Sequence, residues 1–463
     1  MSFAETALKN TIFFPYWLDN KDAPEDEPCL TEDTAAQLVI VGGGFTGLWA
    51  AIQAKEADPN RSIILIEAGK VAYGASGRPG AIVSTSVMHG LSNAARIFPN
   101  DLPELERLGQ ENMDGFLSTL ARYGIDCDHE WGGELTVGVG PGCQEILQEE
   151  HDLNITHGHD VILLDQDAVQ KQVNSPLFKG AVWSKQRSGT LNPAKLAWGL
   201  KAVALKLGVR LYENTPLNKV SQSRSFLTIF TPLGEIKAEK ILLATNAFAA
   251  GHRRIRRRVA AIRDRLIATE PLSDAQLAQV GWHNRQGVYD TRTQMNYMRM
   301  TKDNRIIFGG RLGYYFGNDV DPAGDKKVAP YIRLAEAFHQ TFPQLDGIRF
   351  SHAWSGPIAL TTRMAVHFQS YFGGRMIYAG GYSGFGVSAS RFGARVGLAI
   401  LDNQELPEKT MEFACTEPGY IPPEPFRWFG AKITLYAMDT ADKKGGWRRP
   451  WINFVEKLGF PLT

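Results

Sequence analysis

The sequence predicts a mixed fold, α/β in one part and α+β in another, and three observations lead there. A βαβ pattern over residues 38–67 marks a parallel, helix-covered sheet. Strand-like runs at 266–272, 295–301 and 305–310, the last two joined by Asp303-Asn304, mark an antiparallel one. The length, 463 residues, is enough to bury a large core in two interlocked domains.

The βαβ unit is complete. An apolar run at 38–41 leads to Gly42-x-Gly44-x-x-Gly47, and the apolar spacing of 48–57 suits a helix. After Asp58-Pro59-Asn60 a β-branched run, 62–66, ends at Glu67, twenty residues beyond Gly47. Gly42 permits the tight turn, Gly44 lets the backbone approach a pyrophosphate, and Gly47 lets helix and strand pack closely. The helix N-terminus offers free N–H groups to phosphates, and an acid at Glu67 can accept hydrogen bonds from a ribose. A lone glycine motif would fit any strand-to-helix turn. Here both strands, the helix and the acid accompany it, which makes the unit Rossmann-like.

Composition excludes several classes. Hydrophobic content of 44% and a net charge of +1 predict no general attraction to nucleic acid or acidic membranes. The one dense basic run, Arg253 to Arg258, reads as a solvated connection or, less simply, as a polyanion site. Cys29, Cys127, Cys143 and Cys415 lack CxxC spacing and fit reduced thiols in a cytoplasmic protein. No apolar stretch approaches the ~18 residues of a membrane span, and residues 1–14 lack the apolar core of a signal peptide.

In chain order, residues 1–36 carry Pro15, Trp17, Pro24 and Pro28 and read as an arm that packs by its aromatics. Residues 102–123 have helical spacing and 134–137 read as a strand. Short helices at 144–151 and 165–173 flank a strand at 161–164, with His157 and His159 between them read as a surface turn rather than a metal site. Asn192-Pro193 is an N-cap and first-turn proline for a helix through Leu207. Strands at 209–212, 226–231 and 240–246 follow, then the antiparallel runs, a helix at 328–342 ended by Pro343, and a run at 348–354. A glycine-rich stretch opens a last helix at 387–401, and the proline- and aromatic-rich residues 406–463 read as a C-terminal extension or oligomer contact.

The loop at 69–80, GKVAYGASGRPG, stands where a nicotinamide-binding chain would continue with another βα repeat. At this point the chain resembles the D-amino-acid-oxidase-like flavoprotein family, whose members carry GASGR-like loops across the flavin. The resemblance recurs at 377–388, IYAGGYSGFGVS, and covers most of the chain. It implies a Rossmann-like FAD-binding domain, discontinuous over 37–100, 185–262 and 350–405, interlocked with an antiparallel-sheet substrate-binding domain over 101–184 and 263–349. It places FAD against Gly42, Gly44, Phe45, Thr46 and Gly47, then Glu67 and Ala68, then Gly74, Ala75, Ser76 and Arg78. Backbone around Val220 lines the adenine pocket, with Thr245 and Asn246 near phosphate and ribose. Gly381, Tyr382, Ser383, Gly384, Gly386 and Val387 complete the site at the flavin's pyrimidine end.

The resemblance also implies chemistry. FAD would accept a hydride from the carbon beside an amine nitrogen, leaving an imine for water to hydrolyse; the alternatives are oxidation of a 2-hydroxy acid or alcohol, or a flavin-binding subunit that needs a partner. The alcohol route needs a base, for which His352 is the candidate, although a buried structural histidine fits the same position. Strand alternation puts Tyr297 and Arg299 on one face, either as substrate wall, with Arg299 pairing a carboxylate, or with Arg299 toward solvent. Arg78 would lie near the flavin edge, and Phe385 stands where a relative has histidine. A non-covalent FAD is expected, since Arg78, Pro79, Gly80 and Ala81 follow the loop's Ser-Gly and no cysteine lies in 355–367. The strand at 306–310 lacks the lysine that promotes oxygen reactivity in one branch, so oxygen or another electron acceptor remains open. Substrates are small amines or amino acids, with no metal and no nucleic acid.

Overall fold

A computed structural model describes residues 2–320 and 327–460. The first residue of the arm, 321–326 of the substrate-binding region and the last three residues of the C-terminal extension lie outside these. Two eight-stranded sheets carry the molecule. In the first, Thr34–Val41 is central, parallel to Glu235–Leu243 on one side and to Ile63–Ile66 on the other. Arg210–Tyr212 extends it beyond Ile63–Ile66, and Met376–Gly380 extends it beyond Glu235–Leu243, again in parallel. Only parallel strands buried on both faces read as near-continuous apolar runs, which is why 38–41, 63–66 and 241–243 do.

Helices Phe45–Ala57, Pro193–Lys206 and Gly386–Asp402 cover one face. Asn192 caps the second of these, its side-chain oxygen accepting from the amides of Ala194 and Lys195 at 3.1 and 3.2 Å. The core between sheet and helices is built of Leu48, Trp49, Ile52, Leu196, Leu200 and their neighbours, each essentially fully buried.

The second sheet runs Phe350–Leu360, Ala260–Thr269, Ile306–Tyr314, Tyr297–Met300, Gly287–Asp290, Glu134–Val137, Ala181–Ser184 and Val161–Leu164. All neighbours are antiparallel except Gly287–Asp290 with Glu134–Val137. Phe350–Leu360 is an edge strand of this sheet, paired along its length with Ala260–Thr269. The 348–354 run is therefore part of the second sheet, and it reaches the first domain only through its far end. Helix Ala329–Thr341 packs Tyr331, Leu334 and Phe338 on this sheet's apolar side with Met298, Met300 and Phe308.

The N-terminal arm is more than a tether. After a short capped helix, Phe3–Ala7, its Ile12 bridges to the edge strand, donating to the Ser351 carbonyl and accepting from the Ala353 amide, both at 2.9 Å. Trp17 is buried and its indole N–H donates to the Pro79 carbonyl at 2.9 Å. The C-terminal residues form two helices, Phe426–Lys444 and Arg448–Lys457. Asp442 ties the first to the second sheet by accepting from the Thr293 amide at 3.0 Å, and Asp439 pairs with Arg311.

Candidate active site

A cavity of about 1510 Å³ runs from the first sheet's strand ends to the second sheet. That exceeds the roughly 300–1,000 Å³ of an ordinary small-molecule pocket and leaves room for a dinucleotide plus a substrate. At the first end the glycine motif behaves as its spacing predicts. Gly42 sits at φ 113°, a left-handed conformation that other residues rarely adopt, and a Cβ on Gly47 would fall 2.0 Å from the Gly42 carbonyl oxygen. Helix Phe45–Ala57 has no side-chain cap from its own N-cap residue, Gly44; instead the Ser76 hydroxyl accepts from the Phe45 amide at 2.9 Å. The small-residue loop is thereby fastened to the nucleotide helix.

Gly42, Gly44, Phe45, Thr46, Glu67 and Ala68 all line this end, as do Gly74, Ala75, Ser76, Arg78 and Val220. Thr245, Asn246, Tyr382, Ser383, Gly384, Gly386 and Val387 line it further along. Two residues implied as FAD contacts do not. Gly47 is packed beneath Gly42, and Gly381 lies behind the wall, its amide donating to the Asn246 side chain at 2.9 Å. A side chain would be obstructed at both, by the Gly42 carbonyl oxygen at Gly47 and by the Thr361 methyl at Gly381.

Glu67 is already engaged. Its two carboxylate oxygens accept from the amides of Gly43 at 2.6 Å and Gly69 at 2.9 Å, and burial raises its pKa against those hydrogen bonds. Each oxygen keeps a lone pair, so the acid can brace its loop and still face a ribose. These features fit FAD: a helix N-terminus with no cap from its own N-cap residue, a glycine cradle that a Cβ would block, and an acid at the second strand's end.

Arg78 is buried between the loop and the edge strand, its guanidinium donating to the carbonyls of Tyr73 at 2.7 Å and Ser355 at 2.9 Å. Burial lowers its pKa to about 10, so it stays charged at neutral pH.

At the other end an aromatic chamber opens. Tyr297 lies between two glycines: a Cβ on Gly80 would meet its ring at 2.4 Å and one on Gly309 at 2.1 Å. Its hydroxyl donates to buried Asp264, whose other oxygen accepts from the Arg265 amide at 2.9 Å. Burial pushes the Asp264 pKa up to about 6. Phe385 packs on His89 at 4.1 Å and stacks with Tyr289 at 6.4 Å. Burial drives the His89 pKa down to about 4, leaving it neutral and weakly basic. Glu150 also lines the chamber, accepting from the Thr136 hydroxyl at 2.8 Å, and burial raises its pKa to about 7. Met438 and Arg449 bring the C-terminal helices into the wall.

Two expected site residues lie elsewhere. Arg299 is fully buried outside the chamber, with its guanidinium given to the carbonyls of Met300 and Leu191 and laid over Trp17 at 5.3 Å. It shares a strand face with Tyr297, but two residues along, where the arm covers that face. His352 likewise serves the arm, with Nε2 3.0 Å from Asp19 and Nδ1 3.0 Å from Ser351. Neither is among the residues that line the cavity. Sequence reasoning missed Asp264, His89, Tyr289 and Glu150. Asp264 did carry a signal, being the lone acid of the strand Ala260–Thr269, whereas His89 carried none.

The DAO family, described as FAD dependent oxidoreductase, matches residues 37–397. Gamma-glutamylputrescine oxidoreductase of Escherichia coli is 29% identical over 82% of this chain and 87% of its own length. A probable oxidoreductase, OrdL, of Haemophilus influenzae is 26% identical over 84% and 88%. Among solved structures, glycine oxidase from Geobacillus kaustophilus superposes with a TM-score of 0.67 at 16% identity, covering 81% of this chain and 96% of its own.

Proposed function

Because this chain belongs to the DAO family of FAD-dependent oxidoreductases, we propose that it holds FAD non-covalently and oxidises the C–N bond of a small amine or amino acid to an imine, which water hydrolyses to a carbonyl compound. Bound FAD supplies the two-electron acceptor; the chain supplies position, charge and exclusion of water. Gly42, Gly44 and the first turn of Phe45–Ala57 would hold the pyrophosphate, Glu67 the ribose, and Tyr382 to Val387 the flavin end.

The observation that carries the amine reading is the Asp264 carboxylate at the chamber wall, deep in the protein and braced by Tyr297. Above pH 6 it is ionised and can hold a substrate ammonium, and the pair is placed to take up the proton that an amine must lose before oxidation. An alcohol would need a strong base instead. His352 faces the arm, and His89, with its pKa near 4, is a poor one. The names of the relatives support the same class, gamma-glutamylputrescine and glycine both being amines.

A cytoplasmic location belongs to this reading, supported by four cysteines that are all free thiols. The decisive experiment is turnover of amines against 2-hydroxy acids with the carbonyl product assayed, run with oxygen and with an artificial acceptor. Turnover confined to hydroxy acids sinks the proposal. Acid precipitation should release all yellow colour into the supernatant; colour retained in the pellet would show a covalent flavin, for which none of the four cysteines lines the cavity.

A further inference from the structure

Helix Phe426–Lys444 turns two faces in opposite directions. Thr434, Ala437, Met438 and Ala441 face the protein, while Phe426, Phe429, Ile433 and Tyr436 form a stripe along the outer side, between 41% and 70% exposed. Their spacing of three and four residues puts them on one side of the helix. Trp447, Phe454 and Leu458 of the following segment are also about half exposed. Soluble surfaces rarely gather large apolar side chains in this density without a partner.

Basic groups around this stripe outnumber the acids, which are Asp439 and Asp442 of the helix and Glu456 of the one that follows. Lys432, Lys443 and Lys444 flank it, exposed and without a carboxylate partner among the described residues. Both acids of the helix are already engaged, Asp439 by Arg311 and Asp442 by Thr293 and Arg449. The basic run left unexplained by the sequence lies beside the helix's first turn. Ile421 donates to the Arg257 carbonyl at 2.8 Å and Arg427 reaches the Arg256 carbonyl. Arg253, Arg254, Arg256 and Arg257 are exposed, and none forms an ion pair among the described residues. The chain's overall charge of +1 hides this local concentration.

We propose that the C-terminal helix, with the arginine run beside it, is a docking surface for an anionic lipid bilayer, on which the protein sits peripherally. An apolar stripe with phenyl, indole and isoleucine groups can enter the acyl boundary while lysine and arginine reach the acidic headgroups. A second copy of the chain is a poorer occupant, because a two-fold contact would set seven like charges against their own images. No helix among the described residues is long and apolar enough to span a bilayer, so attachment is at the surface. The helix's opposite face carries Met438, which lines the chamber, so the docked helix is also part of the chamber wall. This inference is independent of the substrate.

The test is flotation of the FAD-loaded, full-length protein with vesicles of phosphatidylcholine alone and with about a third phosphatidylglycerol. Binding is expected only to the anionic vesicles, weakening at least tenfold in the double variant Phe429→Ser/Ile433→Ser and again in Arg256→Gln/Arg257→Gln. Flavin absorbance and melting temperature report that each variant is folded. Absence of flotation at low salt overturns the proposal. So does binding unaffected by the apolar pair, which would mean charge attraction alone. A dimer in light scattering that the apolar pair dissociates, with no vesicle binding, would assign the face to a second copy instead.

Discussion

Asp264 and Glu67 are both acids deep in the molecule, and their surroundings give them different duties. Asp264 has a pKa near 6 where an ordinary aspartate titrates near 4, so between those values the folded state holds a proton that the unfolded chain has released. Stability at this site therefore falls as pH rises from 4 to 6 and stays reduced above it. Asp264→Asn should unfold at higher denaturant than the wild type at pH 8, by ~1–3 kcal/mol, with the gain vanishing near pH 4. The same variant should lose the acid limb, near pH 6, of the kcat/KM profile for an amine. An unchanged limb would free Asp264 of any part in substrate binding. Glu67→Ala should weaken FAD binding by ~1–3 kcal/mol and Glu67→Gln by less, measured by flavin titration of the apoprotein. An alanine variant with unchanged affinity would leave Glu67 only its bonds to Gly43 and Gly69. At this scale the sequence was legible where chemistry and backbone coincide, as in the glycine motif. It was not where a long side chain chooses its direction: Arg299 and Tyr297 lie on one strand face, and only the arm laid over Arg299 separates their roles.

Elements were easier to read than contacts. The helix after Asn192 was announced by its cap and its proline, and it forms as Pro193–Lys206. Asn192→Ala should cost about 1 kcal/mol in chemical denaturation, while Asn192→Asp should cost less, the side-chain oxygen being kept. The long helix Leu102–Tyr123 was equally plain from apolar spacing, and Gly124 in the left-handed conformation ends it. The edge strand was harder. The run at 348–354 looks the same whether it joins one sheet or the other, because partner choice depends on residues far away in sequence. The C-terminal helices were obscured by the seven prolines of residues 406–463 and by aromatics that the fold leaves outside. A pattern read for burial has no means of marking a face that is apolar and exposed.

For the whole molecule, the arm decides how firmly the halves are joined. Trp17 touches the Pro79 carbonyl on one side and the Arg299 guanidinium on the other, so one indole spans the cofactor loop and the second sheet. Trp17→Ala should destabilise the protein by roughly 3–5 kcal/mol and, by loosening residues 74–80, speed the loss of FAD on gel filtration. Retention equal to the wild type's in a folded variant would uncouple arm from cofactor. The two-sheet architecture itself was predictable from the βαβ unit and the alternating runs, since each requires its own sheet.

The bridge at Ile12 has one more effect. Phe350–Leu360 ends the second sheet, and an end strand exposes unpaired N–H and C=O groups that can recruit a foreign strand. Ile12 occupies that row at Ser351 and Ala353. The arm thus closes the start of that edge, and a chain shortened past residue 12 is expected to associate with its own kind more readily, as light scattering would show.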